Sequence, residues 1–527
     1  MRLKMKKLTK ENIYYIILIA ILLVGIITRV IKFGELPIGF NVDEAGILYD
    51  AYCIADYGTD RFNNSYPVYM INFGGGQSAL YTYVTAILFK IFGVSLTVAR
   101  IPALIFSILF MVFGFLITKD FKNKKLAILV EFLIVIAPWH FMQSRWALDC
   151  NLMSSMLLMS IYTLIKAKNK ILYFVAGALF GISLYTYALS YIVIPIILLL
   201  LLGYMLYVKK IKISDIIVFA LPLAIIATPL ILYMLVNMGI LQEIKTPYMS
   251  ILEMWTFRIG EVNFNNILQN FVRMFQCIFA FDINYYNAFP TTGTLYYISI
   301  PFAILGFYKS IKNVVQDFKQ KKFGLDIVML INFVAVFICG ILIEPGINRI
   351  NAIYISIIYY TALGILYISE NRKYVLSVII AVYLILFAAF LYQYFGVYAK
   401  QESNSGFNQS AIDVVQYIES NDKFDGKLIN PRLRVTQPYI YVLIAKQMTP
   451  IEFNENAIIE KPLVYAIDRY IFYNDTISDD VVYLIQDDEE LVQKLINEGF
   501  SLEEFEDGIS ILYKEWSIKE ARPQLLI

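Results

Sequence analysis

The chain has 527 residues, of which 59% are hydrophobic, 16% aromatic and 16% charged, with a net charge of +2 and a mean hydropathy of +0.63. A chain of this length and composition cannot hide its apolar side chains in a water-soluble globule, so it uses the bilayer as solvent. The single histidine, His140, and four scattered cysteines exclude a Cys/His zinc site, and nothing in the charge pattern calls for nucleic acid.

The basic start Met1-Arg2-Leu3-Lys4-Met5-Lys6-Lys7 precedes an apolar run from Ile13 to Val30. That run is long enough to span, and no small-residue cleavage pattern follows it, so it reads as an uncleaved signal anchor. Next comes Pro37-Ile38-Gly39-Phe40-Asn41-Val42-Asp43-Glu44-Ala45, opening an amphipathic helix with two adjacent acids. Further apolar runs lie near 97–118, 126–141, 150–166, 171–188, 191–208, 214–236, 292–311, 324–343, 350–369 and 374–396, which makes eleven spans with the first. The run 126–141 is short and carries Glu131.

Residues 77–92 are apolar enough to suggest a twelfth span. Basic clusters decide against it, because cytoplasmic loops collect Lys and Arg. With 77–92 lying against the bilayer, the clusters at Lys4–Lys10, Lys119–Lys125, Lys166–Lys170, Lys209–Lys212, Lys309–Lys322 and Arg372–Lys373 all fall on one side. The expected protein is a multi-pass plasma-membrane protein with a cytoplasmic amino terminus. Two long outer segments follow, 32–96 and 237–291, the second rich in aromatic and Asn residues around Trp255, Asn263, Asn265 and Tyr285.

Beyond residue 396 the composition changes. Residues 397–527 carry 23 acidic and 12 basic side chains and alternate helical stretches (410–420, 489–498) with β-like runs (463–467, 481–485, 509–513). This is the pattern of a soluble α/β domain on the outer side. It contains no glycine-rich phosphate loop, so a structural or acceptor-docking role is expected. The domain division is therefore 1–396 for the membrane part and 397–527 for the outer part.

Polar groups kept at one membrane face call for a functional explanation. Asp43 and Glu44 begin a helix after the first span, Arg145 and Asp149 stand at i, i+4 where the fourth begins, and Glu344 and Arg349 flank Pro345-Gly346. Each has a plainer reading: helix capping for the acids, an ion pair for Arg145 and Asp149, snorkelling for Arg349. His140 beside Trp139 reads as interfacial belt. Together, the six suit sugar transfer from a lipid phosphate to a hydroxyl. That reaction needs a carboxylate to take the hydroxyl proton, for which Asp43 is the choice, and a fixed cation for the departing phosphate, Arg145 or Arg349. A divalent metal would draw on Glu44, Asp149 and Glu344.

Asp43-Glu44-Ala45, Gly58-Thr59-Asp60, Gln77-Ser78-Ala79-Leu80-Tyr81-Thr82-Tyr83, Phe92-Gly93-Val94-Ser95 and Ala99-Arg100-Ile101-Pro102 resemble the first module of GT-C glycosyltransferases. The nearest kinds are the protein O-mannosyltransferases that use dolichyl-phosphate mannose and the bacterial aminoarabinose-to-lipid A transferases. Gln143-Ser144-Arg145-Trp146-Ala147-Leu148-Asp149 is similar to a mannosyltransferase segment, and Asn348-Arg349-Ile350-Asn351 resembles a late arginine-bearing span start of the bacterial members. The resemblance covers about residues 10–370 and is best over 36–151. It implies a bundle of eleven to thirteen spans, juxtamembrane helices in the first outer loop, an inverting transfer and a polyprenyl-phosphate sugar donor. It also implies that Asp43 acts on the acceptor, with Glu44 beside it and Arg145 near the site.

Two departures qualify the match. Gly75-Gly76-Gln77-Ser78 stands where the aminoarabinose transferases carry Lys-Pro-Pro, which leaves the phosphate to another cation, Arg349. The segment 237–291 is too short for the β-trefoil insert of the eukaryotic mannosyltransferases, so the chain reads as a bacterial-type member. The competing readings are a surface-polysaccharide polymerase or ligase, a lipid-linked sugar transporter, and a non-catalytic assembly protein. The acceptor, whether protein, lipid or glycan, is not written in the chain.

Overall fold

The computed structural model describes residues 10–73, 75–279, 286–370, 372–398 and 406–515; Lys4, Lys6, Lys7 and Tyr285 lie outside them. Each apolar run holds a helix: α1 (Lys10–Val30), α4 (Leu96–Phe121), α5 (Lys124–Ile136), α7 (Met153–Lys166), α8 (Lys170–Ser183), α9 (Ser190–Tyr207), α10 (Ile213–Asn237), α12 (Ser299–Gln320), α13 (Leu325–Leu342), α14 (Tyr354–Ile368) and α15 (Lys373–Tyr392). Seven helices among the described residues are long and apolar enough to cross a membrane. The chain is a multi-pass membrane protein.

The run 126–141 is two helices. Pro138 lacks an amide proton and ends α5, and α6 (Pro138–Gln143) continues in a new direction. The run at 292–311 is displaced: α12 begins at Ser299 after a series of turns and ends in the polar segment Lys319-Gln320. Asn123, Asn169 and Ser95 accept from backbone N–H groups at the starts of α5, α8 and α4, which closes the connections tightly.

Several of the predicted basic connections meet at one end of the bundle. Lys122 pairs with buried Asp326 at 2.6 Å, Lys170 with Asp215 at 3.3 Å and Lys124 with Glu11 at 2.9 Å. Tyr204 donates to the Lys322 carbonyl at 2.7 Å.

Close helix crossings are made by glycine. A Cβ on Gly306 of α12 would lie 1.7 Å from the Tyr360 carbonyl oxygen of α14, and one on Gly364 would lie 2.0 Å from that of Phe302. Such backbone contact is how membrane helices gain dispersion energy when lipid is as apolar as they are. Gly306→Leu is expected to lose at least the ~1–3 kcal/mol typical of overpacking, read as a lower thermal unfolding midpoint in detergent. Gly203→Leu, whose new Cβ meets nothing within 4 Å, should not lower it.

At the other end α2 (Val42–Tyr57) leads to the two-stranded pair β1 (Tyr69–Met70) and β2 (Gln77–Ser78), then α3 (Ala79–Phe92). At about 1.5 Å per residue the 14 residues of α3 are too short for a bilayer core of about 30 Å. Segment 237–291 holds the hairpin β3 (Ile244–Thr246) and β4 (Met249–Ile251) and the amphipathic α11 (Ile267–Phe279).

The carboxyl-terminal region carries α16 (Ser410–Glu419), β5 (Leu428–Arg432), α17 (Tyr439–Lys446), α18 (Pro450–Asn456), β6 (Ala457–Glu460), β7 (Leu463–Ile467), β8 (Tyr470–Ile471), β9 (Val481–Gln486), α19 (Glu489–Asn497), β10 (Ser501–Glu504) and β11 (Ile509–Tyr513). Its seven strands form one mixed sheet in the order β10-β11-β9-β5-β8-β7-β6, with β5 parallel to both neighbours. This domain does not hang free. Ala45, Leu48 and Ile54 of α2 share one apolar cluster with Ile418, Ile440, Val464 and Val482.

Candidate functional site

α2 starts at Asn41, whose side chain accepts from the Asp43 N–H at 3.1 Å. Capping is therefore supplied by Asn41 rather than by the Asp43 carboxylate. Successive helical residues are turned about 100° apart, so the two acids face different neighbours. Asp43 is half-buried, and its Oδ1 faces the Asn72 amide nitrogen at 3.5 Å.

Glu44 points the other way. It is fully buried against fully buried Arg100, with Nε–Oε1 and Nη2–Oε2 both at 2.8 Å, and Oε1 also accepts from the Ala147 N–H at 2.8 Å. Arg100 uses its remaining donors on the carbonyls of Gly34, Pro37 and Gly39. The carboxylate of Glu44, expected to work beside Asp43, is occupied in fastening α2 to α4 and to the segment before Asp149.

Arg145, expected near the donor phosphate, directs its donors at protein groups. It is fully buried, its Nε donates to the Tyr394 hydroxyl at 3.1 Å, and its terminal nitrogens donate to the carbonyls of Arg29, Ile31 and Lys32 at 2.6, 2.9 and 2.7 Å. These belong to the end of α1, where carbonyls lack helical partners and a cation complements the helix dipole. The stretch from Ser144 to Leu148 is not helical, so the i, i+4 geometry expected of Arg145 and Asp149 does not exist. His140 is no belt residue either: it is fully buried, with Nδ1 at 2.9 Å from Arg29 Nη2.

Asp149 is 4% exposed and accepts from the N–H groups of Ser78 at 3.0 Å and Cys150 at 2.7 Å. Asn72 also donates to Gln77 Oε1 at 3.1 Å. Asn351 donates to the Cys150 carbonyl at 2.6 Å, which brings the Arg349 turn against Asp149. A polar strip, linked partly through the Ser78 and Cys150 backbone, thus runs from Asp43 through Asn72, Gln77 and Asp149 to Asn351.

The Arg349 side chain is 34% exposed, pairs with Glu261 at 3.2 Å and donates to the Glu344 carbonyl at 3.0 Å. Glu261 is also on the rim of a cavity of about 240 Å³ lined by Tyr69, Tyr191, Tyr233 and Phe257. The Tyr191 hydroxyl is buried there without a hydrogen-bond partner among the described residues. Tyr69 pairs across β1–β2 with Ser78, so the cavity wall joins the strip at Asp149. The Glu344 side chain is exposed and paired with Arg273.

Sequence reasoning missed the pair beside Asp43. Asp50 and Arg61 are buried at 1% and 0% exposure and bonded in a fork at 2.9 and 2.7 Å. Burial acts to lower the Arg61 pKa, but Asp50 and Tyr439 outweigh it and hold it above its ordinary value. Burial, with Asp50 nearby, raises Asp60 to about 7. The Gly58-Thr59-Asp60 motif marked this loop without indicating the arginine that follows it.

A metal fits poorly. Among the described residues no three acidic, His or Cys side chains converge; Glu44 is occupied by Arg100 and Glu344 by Arg273.

Residues 77–236 match the family model described as dolichyl-phosphate-mannose-protein mannosyltransferase, less than a third of the chain. The fold is similar to ArnT from Cupriavidus metallidurans bound to undecaprenyl phosphate, with a TM-score of 0.54 and 11% identity over 96% of this chain and 98% of ArnT. The apo state of the same protein gives 0.52 and 10% over 95% and 98%. The chain has the GT-C fold.

The Archaeoglobus fulgidus oligosaccharyltransferase, in a structure described with Zn and sulfate, gives a TM-score of 0.50 at 15% identity over 82% of this chain. The chain spans only 62% of that protein's length. No curated protein matches the chain in sequence. Within the GT-C fold, the polar strip lies on the segment between α1 and α4 and on the starts of later helices.

Proposed function

We propose that the chain transfers a sugar from a polyprenyl-phosphate donor to a hydroxyl on a protein, lipid or glycan at the outer membrane surface, with inversion. The observation that carries this reading is the polar strip, which runs from a half-buried carboxylate, Asp43, to Asn351, two residues along the chain from the partly exposed cation Arg349. The mannosyltransferase family model and the ArnT likeness support a lipid-linked donor. In this reading residues 1–396 form the catalytic membrane domain, 397–527 are extracytoplasmic, and the amino terminus is cytoplasmic.

Asp43 takes the acceptor hydroxyl proton as the oxygen attacks the anomeric carbon from the face opposite the phosphate. The carbon–oxygen bond to phosphate breaks, and polyprenyl phosphate leaves with the electron pair. Arg349 neutralises the charge that develops on it, its planar fork suiting two phosphate oxygens. The aromatic cavity lined by Tyr69 and by Glu261, the partner of Arg349, receives the donor sugar. Asp149 holds β2, and with it Gln77 and Asn72, in register with Asp43.

The test is mass spectrometry of surface lipids, glycans and proteins from cells with and without the enzyme, which identifies sugar and recipient together. A hexose or pentose should disappear from one surface class; an unchanged envelope with accumulation of a lipid-linked sugar on the inner leaflet would favour a transporter. Arg349→Gln should lower transfer by about 10²-fold, the scale of one lost charge-stabilising donor, and Arg349→Lys by less.

A further inference from the structure

We propose that the carboxyl-terminal domain positions the general base, through the relay Tyr439, Arg61, Asn72 and Asp43. This rests on Asp43 being the base.

Arg61 sits at the centre. Its Nη1 donates to the Tyr439 hydroxyl of α17 at 3.0 Å, its Nη2 to the Gly46 carbonyl at 2.9 Å and to Asn72 Oδ1 at 3.2 Å, and its fork grips Asp50. A guanidinium only donates. The Asn72 oxygen therefore has to face Arg61, and its amide nitrogen has to face Asp43 and Gln77, as it does. The orientation of an amide that donates to the base is thus set by an arginine rather than left to chance.

The arginine is itself held from the outer domain. Tyr439 is 2% exposed and lies parallel to Phe453 of α18, ring centroids 6.2 Å apart at 8°. Around it, Asn454 donates to the Arg61 carbonyl at 2.8 Å, Tyr441 to the Phe40 carbonyl at 3.2 Å, and Tyr49 to the Met448 carbonyl at 2.8 Å. All three cross between α2 or its flanking loops and the outer domain. The relay is also tightly fitted: a Cβ on Gly46 would lie 2.5 Å from Asn72 Oδ1 and 2.9 Å from Arg61 Nη2. Only glycine at this position lets both side chains reach α2.

Tyr439→Phe keeps the ring and removes the hydroxyl. Asn72→Ala removes the amide. Initial rates are measured in membranes with their own donor pool, on the product found by the envelope comparison, in the parent and the Asp43→Asn backgrounds. The expected result is a fall of about 10-fold for Asn72→Ala and a smaller fall for Tyr439→Phe in the parent, and no further fall when either is added to Asp43→Asn. Groups that act through one another are non-additive in this way. A merely structural role would lower rates in both backgrounds, in step with a lower unfolding midpoint, and would overturn the proposal. So would unchanged rates in both variants while Asp43→Asn abolishes transfer, which leaves the base assignment standing. Full transfer by Asp43→Asn overturns both.

Discussion

Asp43→Asn is expected to lower transfer by about 10²–10⁴-fold, the usual contribution of a positioned proton acceptor, while the protein folds as before. The change is close to isosteric, and the side chain is half-buried rather than enclosed. The start of α2 does not depend on it, because Asn41 supplies the capping oxygen. Two measurements check this: the transfer rate in membranes and the thermal unfolding midpoint in detergent. A normal rate would remove Asp43 from the mechanism, and a collapsed midpoint would make it structural.

The neighbouring residue should behave in the opposite way. Glu44→Ala leaves the Arg100 guanidinium buried without its carboxylate, and breaking one side of a buried pair costs about 3–5 kcal/mol. Against a total stability of roughly 5–15 kcal/mol, that removes a third or more of the margin of an average protein and brings a marginal one to its unfolding midpoint. The expected outcome is loss of folded protein on size-exclusion chromatography, not a folded enzyme with a slow step. Adding Arg100→Met to Glu44→Ala should not rescue it, since the carbonyls of Gly34, Pro37 and Gly39 would lose their donors as well. A folded, active Glu44→Ala protein would show that the pair is dispensable.

These contrasting outcomes for adjacent acids explain what could be read in advance. The helical runs, the short helix at Ala79–Phe92 and the β-like runs at 463–467, 481–485 and 509–513 depend on local periodicity and apolar length, which neighbours along the chain carry. The candidate site as a region was legible for the same reason: polar residues at the ends of apolar runs stand out. Individual roles were not. Arg145 at a membrane-helix start has the chemistry of a phosphate ligand, and only the arrival of the end of α1 makes it a helix cap. His140 beside Trp139 has the composition of an interface, and Pro138 starts a helix that is buried in the bundle instead.

The sequence by itself determined that this chain lives in a membrane, where most of its helices lie, that an acidic α/β region follows them, and that Asp43 stands at a helix start beside the bilayer. Those properties follow from hydropathy, charge and short-range spacing. The tertiary structure decided which acid is buried in an ion pair, which arginine stays partly exposed, and that Tyr439 reaches Arg61 across 378 positions of sequence. Such contacts depend on how distant segments pack, and no local pattern in either segment encodes its partner.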